Sequence, residues 1–191
     1  MSSLLAPPGD LSAFPAYVLQ PSDPVFRIHK ATHEAWWFCN DGFCRFDLQA
    51  PLGTCYAAEN PLGAVVETFR DFGAVSEQDI ASRRIATLRS AGPVRLADCT
   101  AARARGYGLT AEIHSTPQYD RTRQWATSFA AAGFEGIRYF ARHDPSAGLR
   151  SFGLFGKAGA HPRRSTRSAP ISIQLLERVA NDFGIEVLPA P

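Results

Sequence analysis

The chain has 191 residues, a formal net charge of +2, 45% hydrophobic residues and 20% charged ones. That length suits a single domain able to bury about two-thirds of its unfolded surface. So small a charge argues against a nucleic-acid partner. No apolar run approaches the ~20 residues of a membrane span, and no basic segment leads into an apolar one near the start. A cytoplasmic protein without membrane contact is therefore expected. Cys39, Cys44, Cys55 and Cys99 lack the spacing of a small secreted domain and should be reduced.

In chain order, residues Met1 to Pro24 are rich in Pro, Ser and Ala. They read as an arm of residues 1–24 with a short helix near Ala16 to Leu19, ahead of one domain over 25–191. Pro24 to His29 reads as a strand, with Val25, Arg27 and His29 on one face and Phe26 and Ile28 on the other. An arginine there either keeps its head in water at an edge or meets an anion. Trp36-Trp37-Phe38 reads as packing, Asn40-Asp41-Gly42 as a turn and Phe43 to Phe46 as a strand. Cys39 and Cys44 have His29 and His33 nearby but no second cysteine pair, so a metal is not expected.

The stretch Arg45 to Phe69 holds the clearest local signals. Thr54 to Ala57 is a strand candidate. Asn60 is a good N-cap and Pro61 a good first helical residue, since its missing N–H would have been unpaired anyway. Leu62, Val65, Val66 and Phe69 then form one apolar stripe. Glu67 lies well off that stripe and, on the wheel alone, reads as a solvated surface acid. Gly63 lies one turn earlier on the same side, where a bare backbone would let a ligand approach the carboxylate.

Further on, Ser76 to Asp79 reads as a capping box starting a helix to about Arg83. Ile85 to Leu88 and Val94 to Leu96 read as strands. Asp98 or Thr100 should cap a helix through Arg105, ended by Gly106. Thr116-Pro117 opens the longest helix, to about Ala132, with Trp125, Phe129 and Ala132 inward and Gly133 as its stop. Gly136 to Phe140 and Ser151 to Phe155 are strands. A linker over 157–169 precedes a helix from Ile171 to Phe183 and a strand from Ile185 to Leu188. Without regular βαβ alternation, the class is α+β or mixed α/β.

No nucleotide fingerprint, Walker loop, nucleophile elbow or HExxH is present. The succession FRIHK, CRFD, GTCYAAENPLGAVVETF, GFEGIRYFARHD and SFGLF, however, resembles the RES domain family, over roughly Val25 to Phe155. That family includes toxins of RES–Xre toxin–antitoxin pairs. The resemblance implies a split mixed sheet flanked by helices, similar to ADP-ribosyltransferases, and cleavage of the ribose–nicotinamide bond of NAD. NAD would be the substrate, with no separate cofactor and no metal. Phosphate, water or a protein side chain would be the acceptor, and a cognate antitoxin the partner.

Carried over residue by residue, the strand arginine matches Arg27, a second phosphate-side arginine Arg45, the pocket tyrosine Tyr56 and the helix glutamate Glu67. Ala141 stands where many members have a serine. The chemistry suits these residue types. Nicotinamide leaves through an oxocarbenium-like transition state, which a carboxylate at Glu67 can stabilise. Arg27 and Arg45 can make forked bonds to pyrophosphate. Tyr56 can present a ring face and a hydroxyl. Arg45 has a plainer reading as a surface residue covering Phe43 or Phe46. Three other functions stay open: a non-catalytic nucleotide- or protein-binding module on the same fold, a protein ADP-ribosyltransferase, and a zinc-supported interaction domain built on Cys39 and Cys44.

Overall fold

A computed structural model of the chain describes residues 4–69, 73–161 and 166–189. The elements in the first half are β1 (Ala16–Leu19), β2 (Val25–Lys30), β3 (Trp37–Phe38), β4 (Leu52–Ala58), α1 (Pro61–Phe69), β5 (Ala74–Ser76), α2 (Glu77–Ala81), β6 (Arg83–Leu88) and β7 (Val94–Asp98). A 3₁₀ turn at Ala102–Tyr107 leads to α3 (Glu112–Ser115), α4 (Tyr119–Ala131), β8 (Gly136–Phe140) and β9 (Arg150–Lys157). The chain closes with β10 (Gly159–Ala160), β11 (Arg167–Ala169), α5 (Ile173–Phe183) and β12 (Glu186–Leu188).

The fold is α+β. Eight strands form one mixed sheet in the order β1-β7-β8-β9-β4-β2-β6-β11, with β7 and β8 parallel and the other neighbours antiparallel. The local signals that set its elements are visible in the side chains. Asn60 Oδ1 accepts from the Gly63 amide at 2.8 Å and so caps α1. Ser76 caps α2 through the Asp79 amide at 3.1 Å. Gly133, at φ 80°, ends α4 in a conformation most residues avoid.

The sheet is split at its centre. β2 pairs with β6 over six residues, and β4 pairs with β9 over seven, yet β2 and β4 share only the register Phe26–Ala58. Cross-strand partners share a face. Two apolar clusters cover one face, one under α4 (Trp125, Phe129, Ile137) and one under α1 and α5 (Val65, Phe69, Val179). A third, built on Val25, Cys55, Ala86 and Phe152, covers the other. The split lies between the two clusters of the first face.

Several segments depart from the sequence expectations. Ala16 to Leu19 is not a helix but the edge strand β1, paired with β7. Pro15 and Pro21 leave too few residues between them for a stable helix, and a ladder satisfies the backbone instead. The arm is also well packed, since Leu4, Leu11 and Phe14 are buried with Trp125 and Phe129. Phe43 to Phe46 is a turn, not a strand, because side chains take its amides: Asp47 accepts from Cys44 N–H and Tyr56 from Phe46 N–H. Asp98 bonds Thr100 locally, so Ala102–Tyr107 winds as a 3₁₀ turn ended by Gly108 rather than Gly106. The linker over 157–169 carries β10 and β11; its residues 162–165 lie outside the described ones.

Candidate active site

A cavity of about 240 Å³ opens at the split, and Arg27, Arg45, Tyr56 and Glu67 all line it. Each comes from a different element: β2, the turn before β4, β4 itself and α1. Tyr119, Tyr139 and Arg142 line it as well.

Arg27 lies opposite Ala86 in the ladder, with Val25 on the far face of the sheet. Its guanidinium turns into the gap, where Nη1 donates to Cys55 Sγ at 2.9 Å and to the Tyr56 carbonyl at 3.2 Å. The split explains the second bond: a β4 carbonyl without a full ladder neighbour receives a side-chain donor instead. Arg27 Nε is buried and has no hydrogen-bond partner among the described residues.

Arg45 is only 8% exposed, so it is not a surface residue. Nη1 donates to the Thr116 carbonyl at 2.6 Å, and the guanidinium sits 5.0 Å from the Tyr119 ring centroid. Burial lowers its pKa from the ordinary arginine value. Thr122 Oγ1 donates to the Arg45 carbonyl, which ties the turn to α4.

Tyr56 contributes its ring rather than a free hydroxyl. That hydroxyl donates to Asp47 Oδ1 at 2.8 Å and accepts from the Phe46 amide at 2.9 Å. Burial raises its pKa well above the usual phenol value, and the Asp47 charge adds to the rise.

Glu67 is half-buried, not solvated. The Tyr139 hydroxyl donates to its Oε2 at 3.3 Å. The wheel misplaces Glu67 because α1 is covered on more than one side. Leu62, Val65, Val66 and Phe69 are buried, while Ala64, Glu67 and Thr68 border the cavity. Gly63 is not an opening for a ligand. A Cβ there would lie 3.3 Å from Ala58 Cβ and 3.9 Å from Leu149 Cβ, so the glycine lets the helix approach the sheet.

The electrostatics are one-sided. Among the described residues, the cavity is lined by Arg27, Arg45 and Arg142 against the single carboxylate Glu67. No described carboxylate lies within ion-pair distance of the three arginines. Such a cavity favours an anion that brings its own charge.

Sequence reasoning missed Tyr119, Tyr139 and Arg142. The alternation of β8 was a usable signal for Tyr139, since it shares a face with Ile137. Nothing local marks Tyr119 at the start of α4. Ala141 is 2% exposed, packs in the cluster under α1 and does not line the cavity. His29 is bonded to the His33 carbonyl and to Ser168 Oγ, away from the site. All four cysteines are free thiols. Cys39 gathers with Asp41 and Asp47, whose ligand-type atoms lie within 4.8 Å of one another, rather than pairing with Cys44.

Comparisons with known proteins agree with this architecture. The family model described as RES domain matches residues 24–174. No curated protein matches the chain. A solved structure, the M. tuberculosis MbcT–MbcA toxin–antitoxin complex, contains a similar fold in MbcT, with a TM-score of 0.61 at 15% identity. The match covers 87% of this chain and 91% of that one.

Proposed function

The chain belongs to the RES domain family, and from that we propose that it is an NAD-degrading enzyme that cleaves the ribose–nicotinamide bond and serves as the toxin of a toxin–antitoxin pair. One observation carries this reading: two arginines and one carboxylate, far apart in sequence, line a single cavity at the sheet split. Arg27 and Arg45 bind the pyrophosphate, each with part of its guanidinium already fixed by the protein. Glu67 stands at the ribose. As the C1′–N bond breaks, its electron pair leaves with nicotinamide, which departs neutral. The positive charge that grows on the ribose is stabilised by the Glu67 carboxylate, held by the Tyr139 hydroxyl. An acceptor then bonds to C1′: a phosphate oxygen, or water, which gives up a proton to solvent. NAD is consumed as substrate, and no metal is needed for a leaving group of this kind. The toxin role is supported by the fold shared with MbcT, and it implies a cognate antitoxin.

The test is chromatography of NAD incubated with purified protein, with and without inorganic phosphate. Nicotinamide release is expected, and the co-product identifies the acceptor. NAD binding in calorimetry with no nicotinamide released would leave a binding module in place of the enzyme.

A further inference from the structure

Tyr56 stands between the two arginines and touches the anchoring of both. Its carbonyl accepts from Arg27 Nη1 at 3.2 Å. Its hydroxyl accepts from the Phe46 amide at 2.9 Å, next to Arg45 in the chain, and donates to Asp47 at 2.8 Å. Asp47 is 2% exposed and does not line the cavity. Its second oxygen accepts from the Cys44 amide at 2.8 Å and closes the turn that carries Arg45. One carboxylate therefore locks the turn upon itself and upon the strand that orients Arg27. This matters at the split, where no continuous ladder between β2 and β4 fixes the distance.

We infer that Asp47 is a positioning residue that sets the spacing of the Arg27 and Arg45 guanidinium groups by acting through the Tyr56 hydroxyl. The inference rests on the reading of this cavity as the NAD site. It gives the buried hydroxyl of Tyr56 a structural task in place of a chemical one. Two guanidinium groups bind a pyrophosphate well only when their separation matches its two phosphates, so a loosened turn weakens binding of the anion before it affects bond cleavage.

The experiment uses the full chain as wild type, Asp47→Ala, Tyr56→Phe and the double variant. Inorganic pyrophosphate is titrated by calorimetry, and kcat and KM for NAD are measured separately. Each single variant should weaken pyrophosphate binding and raise the NAD KM by about tenfold, with kcat within about threefold of wild type. The double variant should lose no more than the worse single one, because both break the same link. Additive losses, or a fall in kcat at unchanged KM, overturn the inference. If Asp47→Ala does not fold, Tyr56→Phe and Asp47→Asn carry the test; the asparagine keeps one oxygen and should serve only one of the two donors. Wild-type nicotinamide release with unchanged pyrophosphate affinity in the variants overturns this inference alone. A wild type that neither releases nicotinamide nor binds pyrophosphate overturns the NAD reading and this inference with it.

Discussion

Two sets of arginines in this fold have opposite fates. On β8, Arg138 meets Glu59 at 3.2 Å and Asp98 at 3.5 Å, and its guanidinium lies 4.3 Å from the Tyr17 ring centroid. Arg150 joins Glu59 at 3.9 Å. These charges are cancelled within the protein. At the split, Arg27 and Arg45 are held by a thiol, carbonyls and a ring, none of which neutralises them. A buried or half-buried cation with no ion-pair partner among the described residues carries a desolvation cost that structure alone does not recover. Chains keep such groups where a ligand supplies the missing charge. The first set is neutralised within the sheet; the second leaves its positive charge on the cavity wall.

If the cavity is built around that anion and one acid, removing the acid should have the largest effect. Glu67→Gln keeps the size and an oxygen for Tyr139, yet removes the charge proposed to face the ribose. Nicotinamide release should fall by about 10²–10³-fold, mainly in kcat, with the melting temperature little changed. Turnover within about threefold of wild type would remove Glu67 from the mechanism.

Arginine substitutions test the comparison directly. Arg27→Ala should lower kcat/KM for NAD by about 10²-fold and leave the melting temperature nearly unchanged, since no described carboxylate loses a partner. Arg138→Ala should do the reverse. It leaves Asp98 without its cation and Glu59 with only the longer Arg150 contact, at a cost of about 2 kcal/mol, or a fall of roughly 4–8 °C in melting temperature. Activity per folded molecule should hold. Equal effects of the two substitutions on stability would erase the distinction between them.

How much of this was legible in the sequence follows the same division. Asn60-Pro61 and the apolar stripe place α1, because capping and periodicity are local. Arg27 was legible as an anomaly, a cation inside an apolar strand. The depth of Arg45 was not, because its partner is the Thr116 carbonyl, 71 residues away. The strand expected at Phe43 to Phe46 failed for a similar reason. Its amides are taken by Asp47 and Tyr56, and the Tyr56 bond depends on how β4 lies against the turn. The wheel placed Glu67 in water because a wheel assumes one buried face, and α1 has more than one. Sheet splitting depends on register between β2 and β4, which no window along either strand contains.

A further titratable group within reach of Arg45 is His114 in α3. Its pKa is lowered to about 4, first by burial and then by the Arg45 charge. Neutral Nδ1 accepts from the Phe140 amide at 3.3 Å. The unfolded chain, with an ordinary histidine, binds this proton more readily. Stability should therefore be intact above about pH 6.5 and decline as the pH falls toward 4, by ~1–3 kcal/mol in all. Melting curves of wild type and His114→Gln between pH 7 and 4 check this. The variant should lose less over that interval. Parallel curves would mean that His114 carries no share of the acid sensitivity.

The smallest effect is expected where the family resemblance pointed to a deficiency. The resemblance matches Ala141 to a serine of many members, yet its side chain is buried with Val65 and Leu149, and its neighbour Arg142 lines the cavity instead. Its amide donates to the Leu149 carbonyl at 2.9 Å, and its own carbonyl accepts from Asp144 N–H. A hydroxyl added there would face apolar groups or bond the nearby backbone, not a ligand. Ala141→Ser should thus leave nicotinamide release within about twofold of wild type and cost about 1 kcal/mol from the buried hydroxyl. A large gain in turnover would show that the end of β8 moves in the working enzyme, and that the cavity at the split is larger than its resting walls describe.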